Sequence, residues 1–237
     1  MMGPTHRLGG ILAALGGWLL MWYNGWLLPG VEPVLQLVLI YPFAYYGATF
    51  PDLDHHAGSI PSRDVFSLAV NKVLHLTTKL RRKMEKAGRG GGLLYKVLGI
   101  FDAKHRSWQT HSDLTVLGSA FLTWFLASKT EGASESIILL VGIGFTLGVF
   151  AHYVYDAITP DGVYFTPFSI VNALWPGKKK PLPKKLHLVP RRPIRTKKWK
   201  SYFATGQGWE GLVNKISRWA GWVLGVWVLI LLLDVKL

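Results

Sequence analysis

Four short clusters of histidine and aspartate hold the groups in this 237-residue chain that could do chemistry. His6 stands near the start. Asp52, Asp54, His55 and His56 follow in PDLDHH, His105 and His111 in HRSWQTHS, and His152 and Asp156 in HYVYDAITPDG. Six of the eight histidines fall in these motifs, while His75 and His187 stand apart. The i, i+4 spacing of His152 and Asp156 puts both side chains on one helix face. Alone, that pair reads equally well as a hydrogen bond bracing a bundle, and a lone His or an Asp-x-Asp carries little weight. Together the clusters offer more imidazole and carboxylate than one tetrahedral ion needs. Such ligands, without thiolate, suit Zn²⁺, Mn²⁺ or Fe²⁺. Two ions bridged by a carboxylate, roughly 3.5–4 Å apart, would use the surplus, activate a water and clamp a phosphoryl group. The chain has neither a nucleophile elbow nor a phosphate loop, and GRGGG at 88–92 is linker composition.

The elements that must position these groups are apolar. Five blocks stand out, at 8–28, 34–50, 114–127, 137–158 and 219–233. Crossing the hydrocarbon core takes about 20 residues, with a range of about 17–25. The first and fourth blocks meet this, and the second does once Glu32 and Pro33 are its interfacial start. The third and fifth are short and need flanking residues. With five spans, the face holding the N-terminus also holds 51–113 and 159–218. That face carries 25 of the 27 Lys and Arg residues, leaving only Lys129 and Lys236 for the other. The positive-inside rule makes it cytoplasmic and puts the C-terminus outside. A motif at the start of an odd span and one at the end of an even span share a face. All four clusters obey that rule.

Half the residues are hydrophobic and 17% are charged, a combination rare in soluble domains. Eleven Trp and nine Tyr suit membrane–water interfaces. The absence of cysteine excludes disulfides and thiolate metal sites. The first apolar block is long and lacks a small-residue cleavage site, so it is expected to stay as a span. A net charge of +14 implies an anionic partner or a topology signal. Residues 64–86 place Phe66, Ala69, Val70, Val73, Leu74, Thr77 and Leu80 at helical spacing beside a basic patch at 79–83. They predict an amphipathic helix, lying on the membrane surface or packed on the bundle. Residues 178–200, rich in Lys, Arg and Pro, read as an extended basic strap. It would hold anionic phospholipid at about 1 kcal/mol per basic residue. Nucleic acid is the less favoured partner, because stacking aromatics are almost absent there. The chain thus reads as one integral membrane domain, 1–237, with cytoplasmic loops at 61–110 and 176–212.

THRLGG at 5–10, PDLDHH at 51–56, HRSWQTHS at 105–112 and HYVYDAITPDGVYFTPFS at 152–169 occur in that order beside the spans. In this the chain resembles the YdjM-type membrane-bound metal-dependent hydrolases, also described as LexA-binding inner-membrane hydrolases. The family pattern H-R-G-x-T-H-S is altered here: Ser107, Trp108 and Gln109 replace its two central residues and add one. That leaves open which of His105 and His111 binds metal. The family is similar in turn to the zinc-dependent phospholipase C and single-strand nuclease superfamily. The resemblance implies an early His (His6), an Asp (Asp52 or Asp54), a His (His105 or His111), and then His152 with Asp156 in the bridging position. That superfamily's later ligands have no counterpart, so two ions, zinc above all, are expected rather than three. The resemblance further implies phosphoester hydrolysis and a prokaryotic inner membrane. The expectation is therefore an all-α polytopic bundle of about five transmembrane helices with an amphipathic helix on the cytoplasmic face. His6, Asp52, Asp54, His105, His111, His152 and Asp156 are its candidate ligands. Asp52 or Asp54 is the candidate base, and Arg106 would neutralise phosphate charge. The alternative is a non-catalytic adaptor with a structural metal, whose basic loops bind protein, anionic lipid or DNA.

Overall fold

The computed structural model describes residues 3–54, 65–88, 92–100, 112–159, 162–174, 179, 181–183, 185–186 and 208–234. Among them the order is α1 (Gly3–Tyr23), α2 (Pro33–Gly47), a 3-10 turn (Phe50–Asp54), α3 (Val65–Lys86), α4 (Leu93–Ile100), α5 (Asp113–Ala127), α6 (Ala133–Ala157), β1 (Val163–Tyr164), α7 (Thr166–Leu174), β2 (Lys185–Leu186) and α8 (Gly208–Asp234). The architecture is an all-α bundle, with one short antiparallel ribbon pairing Val163 with Leu186. By length and composition, Pro33–Asp52, Ala133–Ala157 and Gly211–Leu233 can cross a membrane, and Asp113–Ala127 is apolar but shorter. Large apolar side chains stay uncovered on the outer helices: Val38 on α2, Leu117, Phe121 and Trp124 on α5, Trp222 and Val226 on α8. Patches of that extent mark a surface that meets lipid.

Two helices depart from the apolar blocks. Helix α1 starts before residue 8 and stops well short of residue 28. Asn24 and Gly25 end it: Gly25 adopts a left-handed φ of 66°, and the Trp26 amide donates to the Met21 carbonyl. Helix α8 begins at Gly208, well ahead of its block, because Leu212, Val213 and Ile216 extend the helical period through polar sequence. The expected amphipathic helix forms as α3. It contacts α4 and the 3-10 turn, and the Arg81 guanidinium lies 4.4 Å from the Tyr95 ring centroid. Val73, Leu76 and Leu80 of α3 remain exposed.

Three helices build the core. Ala14 and Trp18 of α1, Ile40 and Ala44 of α2 and Leu140 of α6 are all fully buried. Helices α2 and α6 run parallel and step together four residues at a time. Gly144 lies on the Ile40 backbone, Gly148 on that of Ala44, and His152 on the Ala48 carbonyl. A Cβ at Gly148 would overlap the Ala44 carbonyl oxygen, and a Cβ at Gly10 of α1 would press on the same atom. Small residues at every fourth position let the backbones meet, as they do between membrane helices. Helix α5 packs on α6, and α8 packs on α1.

The far end of the bundle is tied by a buried amide. Gln36 accepts from the Leu28 amide (3.0 Å) and donates to the carbonyls of Leu28 (2.9 Å) and Val31 (2.8 Å), satisfying the turn after α1. Gln36→Ala leaves three backbone groups without that partner. About 1–3 kcal/mol of stability should be lost, readable as an earlier thermal transition in detergent. An unchanged transition would mean that water satisfies those groups.

Candidate metal centre

The helix ends that carry His6, Asp52 and the His152–Asp156 pair arrive at the same end of the bundle. His6 lies in the first turns of α1, Asp52 in the 3-10 turn after α2, and His152 and Asp156 in the last turns of α6. The antiparallel α1–α2 pair and the parallel α2–α6 pair bring a start and two ends together. All four side chains are buried: His6 is 0% exposed, His152 and Asp156 1%, and Asp52 7%. His6, Asp52 and His152 each bring a ligand atom within 4.8 Å of the others, a group able to hold a metal ion. The rings of His6 and His152 stack, with centroids 3.8 Å apart and planes 15° apart.

The carboxylate of Asp156 spans the two rings. Its Oδ1 lies 3.5 Å from His6 Nε2, and its Oδ2 lies 3.3 Å from His152 Nε2. Asp52 Oδ1 lies 3.8 Å from His152 Nε2. Charge-assisted hydrogen bonds are shorter, about 2.7–2.9 Å. Ligands on tetrahedral bonds of about 2.0–2.1 Å stand about 3.3–3.4 Å apart. The 3.3 and 3.5 Å separations of Asp156 lie near that value, and the 3.8 Å of Asp52 is wider. The donor set, imidazole and carboxylate, fits the same class of metal.

A second shell orients His152. Its Nδ1 lies 2.7 Å from the Ala48 carbonyl oxygen. A carbonyl only accepts, so Nδ1 carries the proton, and in the neutral ring the Nε2 lone pair faces the carboxylates. Fixing one ring nitrogen this way is how proteins aim a ligating histidine. Both ring nitrogens of His6 are buried without a hydrogen-bond partner among the described residues. A buried polar atom in that state is costly unless something else satisfies it, and ligation of a metal would satisfy Nε2, the nitrogen that faces Asp156.

The remaining expected residues are placed as follows. Asp54 lies in the 3-10 turn with its backbone described and its side chain outside the description. His55, His56, His105, Arg106 and His111 lie outside the described residues, as does His187. His75 sits half-buried on α3, whose contacts are with α4 and the 3-10 turn.

Other residues at this end escaped the sequence reading. Arg7 lies with its guanidinium 5.2 Å from the Tyr45 ring centroid. Its Nε and one Nη are buried without a hydrogen-bond partner among the described residues. Its place one residue after His6 was the available signal. Tyr155 bonds Ser217 of α8 (2.7 Å) and sets its ring 6.3 Å from that of His6. Asp113 accepts from the Thr166 amide (2.9 Å) and hydroxyl (2.7 Å), pinning the start of α7 to that of α5. A pairing across 53 residues leaves no local sequence signal.

No curated protein and no solved structure matches the chain. One family model does, and its match over residues 1–236 takes in every helix end that builds this centre: the chain belongs to the YdjM inner membrane protein family.

Proposed function

We propose that the chain is a membrane-embedded, metal-dependent hydrolase of phosphoesters, acting where its buried His/Asp group meets the cytoplasmic interface. One observation carries this reading. His6, Asp52 and His152 converge within 4.8 Å, and Asp156 turns one carboxylate oxygen toward each histidine. That disposition suits a carboxylate bridging two ions. His6 and Asp156 would hold one, and His152, Asp156 and Asp52 the other. Zinc is the first candidate, with manganese or iron next, and His105 or His111 would complete the set. Bound there, two such ions would lower the pKa of a water and offset charge on a phosphoryl group.

The chain's own groups supply the rest. The water oxygen bonds to phosphorus, the ester P–O bond breaks, and the departing alcohol oxygen takes up the proton that the attacking water gives to the base. Asp52, the least buried of the four, or Asp54 receives the proton of the attacking water. Arg7 and Arg106 offset phosphate charge. The lipid headgroup or lipid-linked phosphate is the substrate class suited to such a place, and the basic segment 176–212 would hold anionic phospholipid. The test is to incubate purified protein with phospholipids, isoprenyl phosphates and single-stranded nucleic acid, with Zn²⁺ or Mn²⁺. Metal-dependent release of phosphate or headgroup is the expected result. No product from any of these by folded, metal-loaded protein would overturn the hydrolase reading.

The near-complete burial of His6 and His152 favours one second reading, a structural ion in a membrane adaptor. Structural sites are closed by protein ligands, and catalytic ones keep an open position. A folded, metal-loaded but inactive protein is the outcome that selects it.

Orientation follows from the basic residues. The chain lacks cysteine, so single thiols report cleanly. Lys129→Cys, in the α5–α6 connection, should react with a membrane-impermeant maleimide from outside. Lys83→Cys on α3 should react only after permeabilisation. The reverse pattern would put the metal centre on the outer face.

A further inference from the structure

A furrow of about 430 Å³ runs between α1 and α8. Leu8 and Ile11 of α1 and Gly221, Gly225, Val226 and Leu229 of α8 line it, and Arg218 stands at one end. The volume falls in the range of small-molecule sites, roughly 300–1,000 Å³. The glycines make the room. A four-residue spacing of glycines usually draws membrane helices into contact, as it does at Gly144 and Gly148. Here a Cβ at Gly225 would meet nothing within 4 Å, and one at Gly221 only a Leu12 methyl at 3.7 Å. Helix α8 therefore stands off from α1 along this stripe.

The charged end identifies the occupant. Arg218 is the only cation among the lining residues, and no acidic side chain pairs with it among the described residues. It precedes the exposed Trp219 and Trp222, aromatics of the kind that sit at headgroup level. A guanidinium fork there matches a phosphate. The same end adjoins the metal centre: Ser217, next to Arg218, bonds Tyr155, whose ring stands 6.3 Å from that of His6. A helix is about 10–12 Å across with its side chains, too thick for a space of this volume, whereas a single extended hydrocarbon chain is not.

We infer that the α1–α8 furrow binds one hydrocarbon chain of a phosphate-bearing membrane lipid, with Arg218 holding the phosphate beside the metal centre. As a substrate site the furrow rests on the hydrolase reading, so its test reads binding without turnover. The full chain is placed in phosphatidylcholine nanodiscs with chelator present. It is irradiated with phosphatidic acid carrying a diazirine midway along one acyl chain, or with diacylglycerol carrying the same group. Adducts are located by mass spectrometry. Phosphatidic acid should label residues 8–11 and 221–229 at least about tenfold more than diacylglycerol, the effect of one hydrogen bond to a charged group. Arg218→Gln should bring its labelling down to the diacylglycerol level. Gly225→Leu, whose side chain enters open space, should remove labelling by both probes. If that variant melts early, Leu229→Phe narrows the same furrow. Equal labelling by the two probes, or labelling that survives both filling variants, overturns the inference. Furrow labelling without hydrolysis faults only the hydrolase reading, and hydrolysis without furrow labelling faults only the furrow.

Discussion

Asp156→Asn is expected to abolish phosphoester hydrolysis, lowering kcat by about a thousandfold or more rather than raising KM alone. The side chain keeps its shape and loses its charge and one acceptor. Asp156 turns Oδ1 toward His6 and Oδ2 toward His152, at 3.5 and 3.3 Å. A carboxylate so placed would serve both halves of the proposed two-ion site, so its loss should weaken both. Losing water activation costs several kcal/mol of transition-state stabilisation, and each 1.36 kcal/mol is tenfold in rate. Initial rates across substrate concentration, with excess Zn²⁺ or Mn²⁺, separate the two parameters. A raised KM with unchanged kcat would place Asp156 in substrate binding and remove it from the bridge.

Gly148→Leu should act on the same centre from a distance. Gly148 is two helical turns before Asp156 and one before His152, on the stripe of α6 that lies against α2. Any side chain there overlaps the backbone of Ala44, and a backbone cannot rotate aside. Overpacking costs typically about 1–3 kcal/mol, and a clash with main chain lies at the upper end. The displacement falls on the next step of the same register, where His152 Nδ1 meets the Ala48 carbonyl. The expected result is both an earlier thermal transition and at least a tenfold loss of metal affinity, since outer-shell partners of metal ligands are worth about 10–100-fold. Gly118→Ala on α5, whose Cβ meets nothing within 4 Å, is the neutral control. Normal melting and normal metal affinity in Gly148→Leu would mean that α2 and α6 do not pack at this register.

The bundle was largely legible because its signals are local. Apolar length marks α2 and α6, apolar composition marks the shorter α5, and helical period marks α3. Alternation of span direction was enough to put His6, Asp52, His152 and Asp156 at one end. Helix limits were less legible. The apolar run of α1 continues past Asn24, and only the turn geometry at Asn24 and Gly25 stops the helix there. The polar start of α8 carries no membrane signal at all. The stacking of His6 on His152, the Ala48 carbonyl behind His152 and the Tyr155–Ser217 bond are products of helix register. Register depends on how Gly10 and Gly148 let the backbones of α1 and α6 close on Ala44, and Gly144 on Ile40, and a single sequence does not state which glycine meets which carbonyl. Arg7 counts among the topology charges, and its one local mark is the neighbouring His6; its place over the Tyr45 ring is a product of packing.

The central claim is that His6, Asp52, His152 and Asp156 hold metal, and elemental analysis tests it most directly. Protein purified without chelator, or exposed to Zn²⁺ or Mn²⁺ and desalted, is compared with His6→Ala and His152→Ala proteins that retain helical circular dichroism. Wild type should carry about two transition-metal ions per chain, as a carboxylate-bridged pair requires, and each variant clearly fewer. No stoichiometric metal in wild type and no uptake on addition, or undiminished metal in both variants, would contradict it.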